Sequence, residues 1–186
     1  YNTRRAKELL ELFLEYHPDI RFHLEIHPAL LSEELKEELK HLPEGLLHLE
    51  AGIQSLREPV LEKSRRMGKL TDALEGLKFL CSLPNMETHA DLIAGLPLYH
   101  LSEIFEDIRV LAAYGAGEIQ LESLKLLPGT EMRRRAEELG IQYSPLPPYE
   151  VLQTREINVS EVQTARQLSR LLDGFYNTPA WQSITR

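Results

Sequence analysis

From Thr3 to Gly140 the chain alternates between helical patterns and short apolar runs of β character, and a helical pattern separates each run from the next. Strands joined through helices pair in parallel, with right-handed crossovers. Strands are predicted over Ile20–His27, Leu46–Ala51, Met86–Ile93 and Glu118–Leu126. Period-two apolar alternation or continuous apolar runs mark them. Helices are predicted over Thr3–Tyr16, from Ser32 to about Leu42, over Pro59–Arg66 with Thr71–Ser82, over Leu101–Tyr114, and over Glu131–Leu139 between an N-cap at Thr130 and a C-cap at Gly140. The order α-β-α-β-α-β-α-β-α implies an α/β fold with a parallel sheet. Four strands are too few to close an eight-stranded barrel. The core is therefore an open, curved part of a TIM-like barrel, or a small open sheet.

This core is assigned to residues 1–143. Beyond it, residues 144–186 hold a Pro-rich, extended connection (Ser144–Thr154), a helix over Val159–Tyr176 and a short turn over Pro179–Ile184. The net charge of −8 argues against nucleic acid as the main partner. No run approaches the roughly 20 apolar residues of a membrane span, and Tyr1–Arg5 leads straight into a helical pattern rather than a signal peptide. Cys81 is the only cysteine, so neither an internal disulfide nor a thiolate metal site can form from this chain alone. A reducing cytoplasm is the expected compartment. The chain opens in mid-pattern at Tyr1 and reads as a piece of a longer protein.

Polar groups gather where the strands end, which is where α/β proteins bind ligands. In HLEAGIQS (His48–Ser55), Glu50 and Gln54 offer hydrogen bonds to a ligand, and Gly52 permits close approach to the backbone. The plainer alternative leaves Glu50 in solvent, but its apolar flanks place it on a buried strand, where a carboxylate needs a partner. In HADLIAGLP (His89–Pro97), Asp91 interrupts an apolar strand; it either serves a ligand or caps a turn. On FHLEIHP, His23, Glu25 and His27 share one face. Metal ligation by these three is conceivable, but alternating polar residues fit a lumen-facing or solvent-facing side better, so no metal is assigned. In LKLLPGT, Lys125 either enters a site or snorkels from a strand end. Arg65 and Arg66 close the helix begun at Pro59, an ordinary place for cations.

Taken in order, E-x-G-x-Q-S, L-x-x-x-x-R, D-L-I-x-G-L-P and P-G-T resemble the later part of a radical S-adenosylmethionine (SAM) enzyme over roughly residues 1–154. The closest likeness is to the branch with an amino-terminal cobalamin-binding domain. That branch includes methyltransferases and the anaerobic oxidative cyclase of magnesium-protoporphyrin IX monomethyl ester; oxygen-independent coproporphyrinogen oxidases are similar in the same strands. The resemblance implies a partial (β/α)6 barrel that binds SAM. By position, Glu25 and Asp91 would meet ribose hydroxyls or the sulfonium end, with Glu50 beside them. Gln54 would fix the ribose, and Arg66, in preference to Arg65, would pair with the methionyl carboxylate. Leu92 and Ile93 would offer backbone to the adenine, and Lys125 would face the substrate. A cationic sulfonium suits carboxylates, and a carboxylate suits a guanidinium fork.

The resemblance also implies a [4Fe–4S] cluster, possible cobalamin, an electron donor such as flavodoxin or ferredoxin, and a small-molecule substrate such as a tetrapyrrole. The CxxxCxxC loop that ligates such a cluster and the glycine-rich segment for the methionyl amine are absent from this sequence, and both would lie upstream. DLIAGLP continues into Leu98-Tyr99-His100, where many relatives have Gly and Glu. Alone, the chain would be inert, and an exposed sheet edge where the first strands belong would favour self-association. Two other readings stand beside this one: a barrel enzyme of lyase or aldolase type using Glu50, Asp91 and Lys125, and a non-catalytic binding module.

Overall fold

The structure is a computed structural model and describes residues 2–181. Helix α1 (Thr3–Leu14) starts at Asn2, whose side chain accepts from the Arg5 amide. Strand β1 (Phe22–Ile26) follows, then α2 (Glu33–Lys40), β2 (Leu47–Gln54), α3 (Glu58–Lys63), α4 (Leu70–Cys81), β3 (Glu87–Ala94), α5 (Leu101–Ala113) and β4 (Glu118–Ser123). The four strands form one parallel sheet in the order β1-β2-β3-β4, as the alternation predicts. No helix among the described residues is long and apolar enough to cross a membrane.

The two faces of this sheet differ in kind. Leu47, Leu49, Ala51 and Ile53 of β2, Ala90, Leu92 and Ala94 of β3, and Ile119 and Leu121 of β4 are buried. They pack with Leu77 and Leu80 of α4 and Ile104 and Leu111 of α5 in one core, and burial of each leucine or isoleucine among them contributes about 1.5–3 kcal/mol. On the opposite, concave face β1 carries His23 and Glu25, β2 carries His48 and Glu50, and β3 carries His89 and Asp91.

A close approach locks β1 to α4. A Cβ placed on Gly76 would lie 2.2 Å from the Pro28 carbonyl oxygen, in the 3-10 turn Pro28–Leu30 that follows β1. Glycine in mid-helix costs about 1 kcal/mol relative to alanine, so here packing outweighs propensity.

Asp107, on α5, is 1% exposed and holds two strand exits at once. It accepts from the Leu56 amide (2.8 Å), Arg57 Nε (2.9 Å), Tyr99 Oη (2.6 Å) and, more weakly, Ser55 Oγ (3.5 Å). Arg57 also pairs with it through Nη2 at 2.8 Å. Burial and the Asp107 carboxylate push the Tyr99 hydroxyl far above its ordinary pKa. Tyr99 is thus a core anchor, which accounts for its place after DLIAGLP.

Strand β4 ends at Ser123, and after Leu124, whose amide still donates to the Ala94 carbonyl at 2.9 Å, the chain leaves the sheet, so β4 is shorter than the sequence pattern implies. The reason is a competing partner. The Leu126 amide donates to the Tyr149 carbonyl, the Val151 amide donates to the Leu124 carbonyl, and Lys125 bridges to Glu150. The helix predicted over Glu131–Leu139 is interrupted at Arg135 (φ −99°, ψ 8°), giving α6 (Glu131–Arg134) and α7 (Ala136–Leu139). Thr130 and Gly140 cap as expected, Gly140 with φ 69°. The Pro-rich stretch supplies β6 (Val151–Gln153), antiparallel to β5 (Gln142–Tyr143). That pairing was not evident from the sequence pattern.

Helix α8 (Val159–Leu171) passes into a π-helical turn, Leu172–Tyr176. The turn delivers Tyr176 Oη to the Ala116 carbonyl (2.8 Å) and Asn177 to β4. Asn177 accepts from the Ile119 amide (2.9 Å) and donates to the Ile119 carbonyl (3.1 Å). Both Ile119 groups point away from β3, so this amide satisfies part of a free strand edge. Residues 182–184 of the predicted final turn lie outside the described residues.

Two outcomes test these constraints by chemical denaturation. Asp107→Ala should lower stability by about 3–5 kcal/mol, since it leaves the buried Tyr99 hydroxyl and the Leu56 amide unpaired and Arg57 with Glu106 alone. Gly76→Ala should lower it by about 1–3 kcal/mol through overpacking, despite alanine's better helix propensity. Stabilisation by Gly76→Ala would contradict the observed contact with Pro28.

Candidate functional site

Ladder register decides which polar groups meet. His23 lies opposite His48, and Glu25 opposite Glu50. Strand β3 enters two residues further along, so Glu50 faces His89 and Gly52 faces Asp91, while Glu118 of β4 faces His89. The concave face therefore collects three imidazoles and several carboxylates in two adjacent rows.

The rings of His23 and His48 stack at 4.7 Å, and His89 meets both at 5.4 and 4.8 Å. His48 Nε2 and His89 Nδ1 share a hydrogen bond of 2.8 Å, and His23 Nε2 lies 2.9 Å from Glu50 Oε2. His89 is 1% exposed. Its Nε2 lies 3.4 Å from Glu50 Oε2 and 3.5 Å from Asp91 Oδ1, and forms a hydrogen bond with neither. Burial lowers the His89 pKa, assisted by His48. Glu50 and Asp91 act as a pair. Burial, then the hydrogen bond to Glu50 and its charge, push Asp91 up to about 9. The same hydrogen bond holds Glu50 below the usual carboxylate range. Two carboxyl groups in contact cannot both ionise cheaply, so the pair retains one proton at neutral pH.

Nearer the carboxyl ends of the strands, the Arg66 side chain folds back over β2. Its Nη2 donates to the Gly52 carbonyl at 2.5 Å, and its Nε is buried with no hydrogen-bond partner. Burial lowers the Arg66 pKa, while Glu25 and Asp91 act in the opposite direction. A Cβ on Gly52 would lie 3.0 Å from Arg66 Nη2 and 3.6 Å from Glu25 Oε1. Glycine here keeps the strand backbone open to the guanidinium. At the next residues the ladder is irregular between Gly52 and Gln54, and Gln54 takes φ 70°. Glutamine in that left-handed conformation is uncommon and of the kind found at ligand sites.

The sequence-predicted residues do not all converge. Glu25, Glu50, Asp91 and Arg66 share the concave face, and Gln54 stands at its rim. Arg65 turns away at φ 56°, exposed and ion-paired with Glu131. Leu92 is fully buried on the helix-covered face, and Ile93 is half-buried on the concave one. Lys125 lies past the end of β4, paired with Glu122 at 3.1 Å. His27 does not join the imidazole cluster; its Nε2 bonds to the Met67 carbonyl at 2.8 Å. Sequence reasoning missed His48 and His89. The signal was present: His-x-acid occurs at His23–Glu25, His48–Glu50 and His89–Asp91, once in each of three successive strands.

A family profile described as "Protein of unknown function (DUF4080)" matches residues 137–186. No curated protein matches by sequence. Solved structures do match. The radical SAM methyltransferase TsrM from Kitasatospora setae, solved with tryptophan substrate and a SAM analogue, aligns with a TM-score of 0.58 and 20% identity, over 88% of this chain and 34% of that one. A TsrM structure with cobalamin and a [4Fe–4S] cluster aligns with the same TM-score, identity and coverage. Coproporphyrinogen III oxidase (HemN) from Escherichia coli, a radical SAM enzyme, aligns with a TM-score of 0.57 and 17% identity, over 76% of this chain and 38% of that one. The chain thus shares its fold with part of these proteins and spans about a third of their length.

Replacing Gly52 by alanine should test the Arg66 contact. The flexible guanidinium can move, so Gly52→Ala should change stability by less than about 1 kcal/mol while displacing Arg66 from the Gly52 carbonyl. A crystal structure of the variant with that hydrogen bond intact would contradict the packing described.

Proposed function

We propose that this chain forms the later βα units of a radical SAM barrel and that its strand ends bind SAM. One observation carries the proposal. A buried guanidinium, Arg66, lies over the backbone of β2 at the carboxyl end of the sheet, between Glu25 and Asp91, with its Nε unpartnered. A zwitterionic, cationic ligand suits such a site. Arg66 would take the methionyl carboxylate through a charge-assisted fork. Glu25 and the Glu50–Asp91 pair would face the ammonium, sulfonium or ribose hydroxyl groups, and Gln54 would reach the ribose.

These residues fit SAM; they do not fit an iron–sulfur cluster. Such a cluster needs several thiolates, and Cys81 is a single, half-buried thiol on α4. The chain's own part in radical chemistry is therefore to bind and orient SAM. Arg66 fixes its carboxylate, the carboxylates set the position of its positive charge, and the helix-backed sheet excludes water from one side. The likeness to TsrM supports methyl transfer as the reaction of the parent protein, with cobalamin as a further cofactor.

The test uses the complete natural protein, purified without oxygen. With dithionite and SAM it should form 5′-deoxyadenosine, or transfer the SAM methyl group, and contain iron. Arg66→Ala should weaken SAM binding by about 10–100-fold, corresponding to about 1.5–3 kcal/mol for a charged hydrogen bond, with iron content unchanged. Arg66→Lys should restore part of that affinity, because lysine supplies the charge without the fork. Unaltered SAM affinity in Arg66→Ala would sink the assignment of this site.

A further inference from the structure

The three imidazoles on the concave face have no use in the SAM reading, and they meet the Glu50–Asp91 pair from the side away from Arg66. We propose that His89 Nε2, Glu50 and Asp91 form a site for one divalent transition-metal ion of the zinc class, with His48 and His23 as outer partners. Neither the SAM assignment nor any property of the aligned structures is needed for it.

The geometry points to a metal rather than to hydrogen bonds. Four-coordinate zinc binds nitrogen and oxygen at about 2.0–2.2 Å, so neighbouring ligand atoms stand about 3.4 Å apart. His89 Nε2 lies 3.4 Å from Glu50 Oε2 and 3.5 Å from Asp91 Oδ1. The Glu50, His89 and Asp91 donor atoms all fall within 4.8 Å of one another, as do those of His23, His48 and His89. His23 Nε2 shares a hydrogen bond of 2.9 Å with Glu50 Oε2 and so holds that carboxylate from outside the set.

Two of the donors are buried and unsatisfied. His89 Nε2 and Asp91 Oδ1 lack any hydrogen-bond partner although both residues are more than nine-tenths buried. Buried polar atoms are rarely left so, and these two point at each other. A cation between them satisfies both.

The surroundings fit the same occupant. His48 Nε2 holds His89 Nδ1 at 2.8 Å. That contact orients the His89 ring, as outer partners of metal-bound histidines do. His48 Nδ1 in turn meets Arg21 Nη2 at 2.9 Å, and Arg21 is ion-paired with Glu87. Mixed imidazole and carboxylate donors select zinc, iron(II), cobalt(II) or manganese(II) over calcium or magnesium, which take oxygen alone, and over copper(I), which takes sulfur. The Glu50–His89 row lies one ladder repeat below Gly52, about 6–7 Å along the strands, and Asp91, level with Gly52, connects that row to the Arg66 site.

Cobalt(II) titration of the chain, freed of metal with a chelator, is the decisive experiment. Saturation at one ion per chain is expected, with a visible ligand-field band of low-symmetry coordination that disappears when Zn2+ is added. His89→Ala should abolish the band. His48→Ala should weaken binding by about 10–100-fold, and His27→Ala, outside the cluster, should leave it unchanged. If circular dichroism shows that His89→Ala does not fold, Glu50→Gln takes its place, since it keeps the side-chain shape and removes a charged ligand. Absence of saturable binding would overturn the proposal. So would binding that survives both His89→Ala and Glu50→Gln, or that is lost equally with His27→Ala. None of these outcomes depends on SAM, so failure here leaves the SAM assignment to its own test.

Discussion

A parallel sheet must shelter both faces of its strands, and in this chain the two faces meet that requirement by different chemistry. One face is aliphatic and closed by α4 and α5. The other bears imidazoles, carboxylates and a folded-back arginine. Within β2 the switch occurs at every residue: Leu49 and Ala51 are in the core, while Glu50 between them lies with His23 and His89. The alternation lets one strand serve folding and chemistry together. Charged groups on the concave face can be spent on a ligand because the aliphatic face carries the stability.

Fixing the strands is not sufficient to fix a site at their ends, because loops leave in many directions. Asp107 supplies the constraint. From one position on α5 it binds the exit of β2 through Ser55, Leu56 and Arg57, and the exit of β3 through Tyr99. Buried charge of this kind is costly unless fully paired, and here it is paired on all sides. The carboxyl-terminal segment adds a second constraint. Asn177 occupies the outward-facing groups of Ile119, and Val151 lies so close to Gly95 that a Cβ there would meet it at 2.6 Å. Residues distant in sequence thus hold the last strand and the turn after β3.

Much of the fold was legible because its signals are local. Apolar periodicity located all four strands of the parallel sheet, and a side-chain cap at Thr130 and a glycine cap at Gly140 marked helix ends. The errors fall where a partner far along the chain takes over. Strand β4 stops at Ser123 because residues 124–126 pair with 149–151. The β5–β6 pairing was not seen because two short segments in a Pro-rich context carry little period-two signal. The interruption of the helix at Arg135 has no comparable partner; we have no physical account of it.

For the site, the sequence by itself determined which residues were available: the strand-end polar groups, the glycine at 52 and the adjacent candidates Arg65 and Arg66. It also contained the thrice-repeated His-x-acid pattern. Only the tertiary structure decided how these combine. Side-chain parity within a strand is a property of the strand, but the offset between strands is set by crossovers and core packing. That offset sets His89 level with Glu50 and still within a hydrogen bond of His48, so an imidazole meets two carboxyl groups. The backbone of Arg65, at φ 56°, likewise sends one arginine outward to Glu131 and leaves Arg66 to fold over Gly52, a decision made by chain geometry and not by residue type.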